Sequence, residues 1–183
     1  MYTTEVTVKA IPVAEWLSRY CFPGKFLDAC KSCPDYAREW SCPPGLPGAM
    51  ELLGGYRTAH IVGVKVLYDE AERARALRSP EAAETVRQES YGVVKKALLD
   101  ALLAFEQVCP GSTTIAAGRC EQCDACTRPQ GLPCRKPERM RYSFSAFGFD
   151  LTAIARELLG MELLWADQGL PAYNAAIAAF VTR

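Results

Sequence analysis

Four cysteines are concentrated in residues 120–134. Cys120, Cys123 and Cys126 are separated by two residues each, and Cys134 follows after seven more. Three thiolates at this spacing can wrap around one compact object, as ferredoxin loops do around a [4Fe–4S] cluster with a more distant fourth cysteine. Structural zinc more often uses two close pairs across a longer gap. The spacing favours an iron–sulfur cluster, with zinc as the alternative.

A second and less regular set of cysteines lies upstream. Cys30 and Cys33 are also two residues apart, Cys42 follows after eight residues, and Cys21 precedes Cys30 by eight. Four thiolates could form a second cluster site. If Cys21 is not a ligand, three cysteines would leave one iron of a cubane cluster open to a substrate.

The segment around the downstream set is basic. Between Arg119 and Arg141 there are six lysines and arginines and three acidic residues, although the whole chain has a formal net charge of zero. Nearby cations stabilise an anionic thiolate-ligated cluster. A solvated basic loop, or a small patch for an anionic partner, would have the same composition. Tyr36 and Trp40 in the upstream segment could shield a cluster from water, or they could be ordinary core aromatics.

Composition narrows the cellular compartment, the partners and the types of catalysis that are consistent with the sequence. The chain has nine cysteines, which is an odd number, and it has no recognisable export signal. These two features predict free thiols in a reducing cytoplasm rather than a disulfide scaffold. No apolar run is long enough for a membrane span, and the absence of a basic excess argues against a nucleic-acid partner. With His60 as the one histidine, histidine-based catalysis is poorly supported. A redox partner protein is possible, and the oligomeric state is open.

Hydrophobic periodicity predicts an α+β fold with a mostly antiparallel sheet covered by helices. Residues 1–183 form a single metal-binding domain with cysteine-rich loops at 21–48 and 118–141. A half-buried strand is expected at 3–11, with Val6 and Val8 on its apolar face. The other expected elements are strands at 60–68, 112–117, 161–165 and 174–181, and helices at 13–19, 79–108 and 151–159. Residues 175–179 could equally be helical.

Two cysteine motifs resemble those of a known family. They are Cys30-x2-Cys33-Pro34-x-Tyr36 with Trp40-Ser41-Cys42-Pro43-Pro44, and Gly118-x-Cys120-x2-Cys123-x2-Cys126-Thr127 with Pro133-Cys134-Arg135. The family is prokaryotic and is described as predicted metal-binding proteins, domain of unknown function twenty-two eighty-four. The resemblance covers nearly the whole chain.

The resemblance implies metal or iron–sulfur binding but no particular reaction. The implied ligands are Cys30, Cys33, Cys42, Cys120, Cys123, Cys126 and Cys134. Cys21 falls outside the family motif, which favours three cysteines at the upstream site. Ala37 stands where the family usually has glycine, which suggests that this loop turns differently here.

Three functions are therefore open. The first is a redox accessory protein that carries one or two [4Fe–4S] clusters and exchanges electrons with a larger enzyme. The second is an enzyme that uses an open iron at Cys30, Cys33 and Cys42. The third is a structural zinc-binding module without a redox role.

Overall fold

The fold is α+β, as the sequence predicts. The structure is a computed structural model that describes residues 1–183. Its sheet has four strands in the order β1-β2-β4-β3, and every neighbouring pair is antiparallel. The strands are β1 (Tyr2–Pro12), β2 (Thr58–Tyr68), β3 (Thr113–Ile115) and β4 (Tyr173–Thr182).

Seven α-helices surround the sheet. They are α1 (Val13–Tyr20), α2 (Leu27–Lys31), α3 (Ala49–Leu53), α4 (Glu70–Ala76), α5 (Pro80–Arg87), α6 (Val93–Val108) and α7 (Leu151–Leu159). The helix expected at 79–108 is divided, because a π-helical turn at Gln88–Gly92 separates α5 from α6. No helix combines the length and the apolar character that crossing a membrane requires.

Each face of the sheet has its own apolar core. On one face α1, α3 and α7 pack over Ile61 and Ala179, and the rings of Trp16 and Phe149 stack there with centroids 4.3 Å apart. On the other face Leu102 of α6 packs on Val62 and neighbouring residues. Because β2 is covered on both faces, its sequence is almost continuously apolar.

Two expectations about strands are wrong. Val6 and Val8 are 63% and 57% exposed instead of half-buried. They lie on the edge strand β1, whereas α6 packs on β3 and β4, so nothing covers their side chains. Residues 161–165 form no strand. Met161 instead packs against the sheet where Gly63 has no side chain, and a Cβ atom at that position would lie 2.7 Å from Met161 Cε.

Candidate metal centres

The upstream cysteines meet at one cavity, here called the first cavity. Cys30, Cys33 and Cys42 line this space of about 120 Å³. Cys30 lies near the end of the short helix α2, and Cys33 follows in the turn after it. The chain then doubles back, which returns the buried Cys42 to the same cavity.

Ala37 is central to that reversal. Its φ is +58°, and it is the one non-glycine residue with a positive φ. Its backbone N–H donates to the carbonyl oxygen of Pro43 over 2.8 Å, which closes the loop that contains Cys42. A left-handed conformation costs a non-glycine residue about 1–2 kcal/mol. The alanine therefore adopts a conformation that favours glycine, and the departure from the family pattern introduces strain at this turn.

Cys21 lies elsewhere. It forms an isolated bridge with Phe149, and its thiol donates to the carbonyl oxygen of Phe147 over 3.3 Å. It packs against the apolar core under α1 and α7 and does not line the first cavity. Cys21 is therefore not among the residues that border the cavity shared by Cys30, Cys33 and Cys42.

A carboxylate, that of Asp35, also borders the first cavity. Its Oδ2 atom is 3.9 Å from Cys33 Sγ. Its other oxygen, Oδ1, accepts a hydrogen bond from Arg119 over 3.4 Å. Asp35 was not among the predicted ligands, although its place two residues after Cys33 was a usable signal in the sequence.

The downstream cysteines line a separate cavity, here called the second cavity. Cys120, Cys123, Cys126 and Cys134 all face it, and its volume is about 20 Å³. The Thr127 hydroxyl donates to the carbonyl oxygen of Pro133 over 2.7 Å. That bond draws Cys134 back toward the closely spaced three, so the predicted set of four comes together.

Basic residues of the downstream loop fasten it to helix α6. Arg141 forms a bidentate contact with Glu106, and both side chains are largely buried, with 16% and 9% exposed. Asp100 accepts hydrogen bonds from Gln122 and Arg139, at 3.0 and 2.9 Å. Lys95 adds an ion pair with Glu121. Much of the positive charge of this segment is thus committed to internal contacts.

Arg128 joins the two cysteine loops. Its guanidinium donates to the carbonyl oxygens of Glu39 and Cys42 at 2.6 Å each, and to that of Pro44 at 2.5 Å. It also lies 5.1 Å from the centre of the Trp40 ring, within the range of a cation–π contact. One side chain of the downstream loop therefore holds the turn that carries Cys42.

The two cavities are separated by the short segment 39–42. Glu39, Trp40 and Ser41 line the second cavity, whereas Cys42 lines the first. The Ser41 hydroxyl is 3.7 Å from Cys42 Sγ and accepts a hydrogen bond from the backbone N–H of Cys120 over 2.9 Å. The aromatic residue predicted to shield the upstream site, Trp40, thus borders the downstream one.

Burial favours the protonated form of three of the thiols that line the two cavities. All nine cysteines are free. Burial raises the pKa of Cys42 to about 11, and burial also raises the pKa values of Cys30 and Cys120. A metal binds the thiolate, so loading these sites releases protons. No three side chains of histidine, cysteine, aspartate or glutamate are grouped so as to hold a single metal ion.

The fold and the two thiol-lined cavities define an α+β protein with a cysteine-rich face, and comparison with known proteins gives its family. The model of the family described as "Predicted metal-binding protein (DUF2284)" matches residues 4–177, and the chain belongs to that family. No curated protein and no solved structure matches the chain.

Proposed function

We propose that this protein holds two [4Fe–4S] clusters, one at each cavity, and exchanges electrons with a partner protein. The observation that carries the proposal is the arrangement of seven free thiols around two cavities that share the segment 39–42. Thiolates are the usual ligands of such clusters, which supply one-electron transfer when bound. Two centres this close together suit an electron relay.

The donor chemistry at the second cavity supports a complete protein ligand set. Four cysteines surround it, and the Cys120 backbone is fixed by Ser41. Backbone N–H groups and cations near cluster sulfurs tune the reduction potential. Arg135 and Lys136 also border this cavity and would contribute positive charge to such a centre.

At the first cavity we propose that Asp35 is the fourth protein ligand. Its Oδ2 atom faces Cys33 while Arg119 binds its Oδ1 atom. A charged partner on the far oxygen of a ligating carboxylate is the type of outer contact that orients metal ligands. In this proposal Cys21 has a packing role.

Two other functions have specific support. The four thiols around the second cavity also suit a structural zinc ion, because four cysteine thiolates are a common ligand set for structural zinc. The enzyme hypothesis is favoured by a third cavity of about 370 Å³, which shares Gly118 and Ser145 with the first. A substrate held there would approach an iron that lacked a protein ligand.

The deciding experiment is anaerobic reconstitution with iron and sulfide, followed by metal and sulfide analysis and electron paramagnetic resonance. The wild type should bind two clusters, and Cys42→Ser and Cys123→Ser should each lose one. Cys21→Ser should retain both. Stoichiometric zinc in a colourless protein that resists replacement by iron would contradict the proposal.

The proposed role of Asp35 as a ligand is tested by a separate pair of variants. Asp35→Ala should alter the resonance signal or the stability of the first cluster while the second is unchanged. The matched control is Asp28→Ala, since Asp28 lies in the same loop, is exposed and borders neither cavity. If Asp35→Ala behaves like this control, the first site has three protein ligands and the open-iron enzyme becomes the better hypothesis.

A further inference from the structure

The two edges of the sheet differ in length and protection. The β3 edge has three residues, while the free edge of β1 runs over eleven. A long free edge presents unpaired backbone groups to other chains, and proteins usually cover, shorten or interrupt it. Between Tyr2 and Ile11 the chain contains no proline, and its register with β2 has no bulge. This edge has no evident role in either cysteine site.

The register shows which backbone groups are free. At one end of β1, the N–H of Asp69 donates to the carbonyl of Met1, and beyond the other end the N–H of Val13 donates to the carbonyl of Arg57. Hydrogen-bonded pairs alternate along an antiparallel ladder, so the odd-numbered residues of β1 bond to β2. The even-numbered ones direct their N–H and C=O groups to the open edge. They include Thr4, Val6, Val8 and Ala10.

The side chains of this edge are also unusual. Val6 and Val8 lie on the same sheet face as Phe180, whose ring contacts that of Phe105. Phe105 is 55% exposed, comparable with the two valines. Adjacent β-branched residues exposed on an edge strand favour strand addition over solvent.

We propose that the edge of β1 pairs with β1 of a second copy of this chain. An antiparallel pairing centred on Thr7 uses the free backbone groups of Thr4, Val6, Val8 and Ala10 in both copies. It places Val6 of each copy opposite Val8 of the other. Each copy would thereby extend the four-stranded sheet of the other into a continuous sheet of twice the size.

Charge complementarity supports a second copy of this chain as the partner that pairs with the free edge of β1. In the same register Glu5 of each copy faces Lys9 of the other, at a position without ladder hydrogen bonds, where side chains approach most closely. Within one chain Lys9 forms no ion pair, whereas Glu5 lies 3.5 Å from Lys65. In the dimer, Lys9 of each copy therefore pairs with Glu5 of the other copy. The two-fold axis relates the two resulting ion pairs.

Sedimentation equilibrium of the full chain tests this pairing. The wild type should dimerise, and Lys9→Glu, which places glutamates opposite each other, should weaken the dimer by at least roughly tenfold in Kd. Glu5→Lys should do the same. An equimolar mixture of the two single variants should form a heterodimer, because each lysine then faces a glutamate, and the double variant should dimerise by itself.

Folding is measured separately, so that loss of the dimer can be distinguished from unfolding of a variant. Glu5→Lys also loses its contact with Lys65, so thermal unfolding is recorded for every variant, and Lys96→Glu on α6 is the matched surface control. A monomeric wild type, or a Lys9→Glu variant that dimerises like the wild type, overturns the proposal. So does a mixture of single variants that stays monomeric while both remain folded.

Discussion

The two cysteine sites differ in what holds them. The second is fastened to helix α6, part of the layered fold, through buried and half-buried polar side chains such as Arg141 and Gln122. The first is built on a five-residue helix and turns, and it is held largely through the second loop by Arg128 and Ser41. These contacts predict that the first site depends on the second loop more strongly than the second site depends on the first loop, since the second has anchors on α6 besides its contact with Ser41.

The largest expected effect comes from the contact between the second loop and α6. Glu106→Ala leaves the largely buried Arg141 without its carboxylate, and breaking a buried ion pair in this way typically costs about 3 kcal/mol or more. We expect a reduction of that order in the free energy of unfolding by denaturant, together with loss of metal from both sites.

The control for this change is an exposed ion pair on the same helix. Lys96→Ala removes the pair with Asp100, whose members are 58% and 36% exposed, and it should cost less than about 0.5 kcal/mol. If Glu106→Ala costs no more than the control, the buried pair does not anchor the second loop.

Arg128→Ala should affect the first site and leave the second site intact. It removes charge-assisted donors from three carbonyl groups of the first loop, for which we expect a loss of about 2 kcal/mol. Iron analysis should show that the first site is lost and the second retained. Arg128→Lys should recover part of the effect, since an ammonium group cannot span three acceptors as a planar fork does.

The matched control is Arg135→Ala, in the same loop. Arg135 makes a single 3.4 Å contact with the carbonyl oxygen of Ala125, so its removal should leave the first site intact. If Arg128→Ala loses iron equally from both sites, the prediction that the first site depends on the second loop is wrong.

The start of the first loop has a weaker anchor in Asp150. Its carboxylate accepts a hydrogen bond from the backbone N–H of Ala153 at the start of α7, and it forms an ion pair with Lys25. The hydrogen bond from Ala153 lowers the pKa of Asp150. Stability from this group is therefore present above the ordinary aspartate pKa of about 4 and lost as the pH falls below it.

Asp150→Ala should cost about 1 kcal/mol at neutral pH, the usual value of a helix N-cap. The difference from the wild type should shrink in acid, which thermal unfolding over a pH series can measure. A difference that stays constant through the acid range would show that the charge of Asp150 contributes nothing.

The smallest effect concerns backbone strain, which distinguishes the two loops directly. The first loop has Ala37 at φ +58°, while the second has Gly131 at φ +68° with no atom near its missing Cβ. Ala37→Gly should raise the unfolding free energy by about 0.5–1 kcal/mol, because relief of strain exceeds the added chain entropy. Gly131→Ala should lower it by a similar amount. Changes of the same sign would contradict this explanation.

Local patterns predicted several parts of the fold accurately. The alternation around Val62 and Val64 indicated β2, and the segment closed by Gly160 indicated α7. The apolar alternation of β1 was equally clear, but its burial was predicted wrongly. Alternation gives the two faces of a strand and contains no information on whether a helix covers either one.

The sequence by itself determined the antiparallel α+β class and indicated the two groups of closely spaced cysteines, because these depend on spacing and short-range periodicity. The tertiary structure decided which groups border each site. It packed Cys21 against the core, brought Arg119 to Asp35, and placed Trp40 beside the downstream thiols. The tertiary structure also made Arg128 a connector across more than eighty residues. Contacts between residues this distant arise from the packing of the whole chain, which spacing along the sequence does not encode.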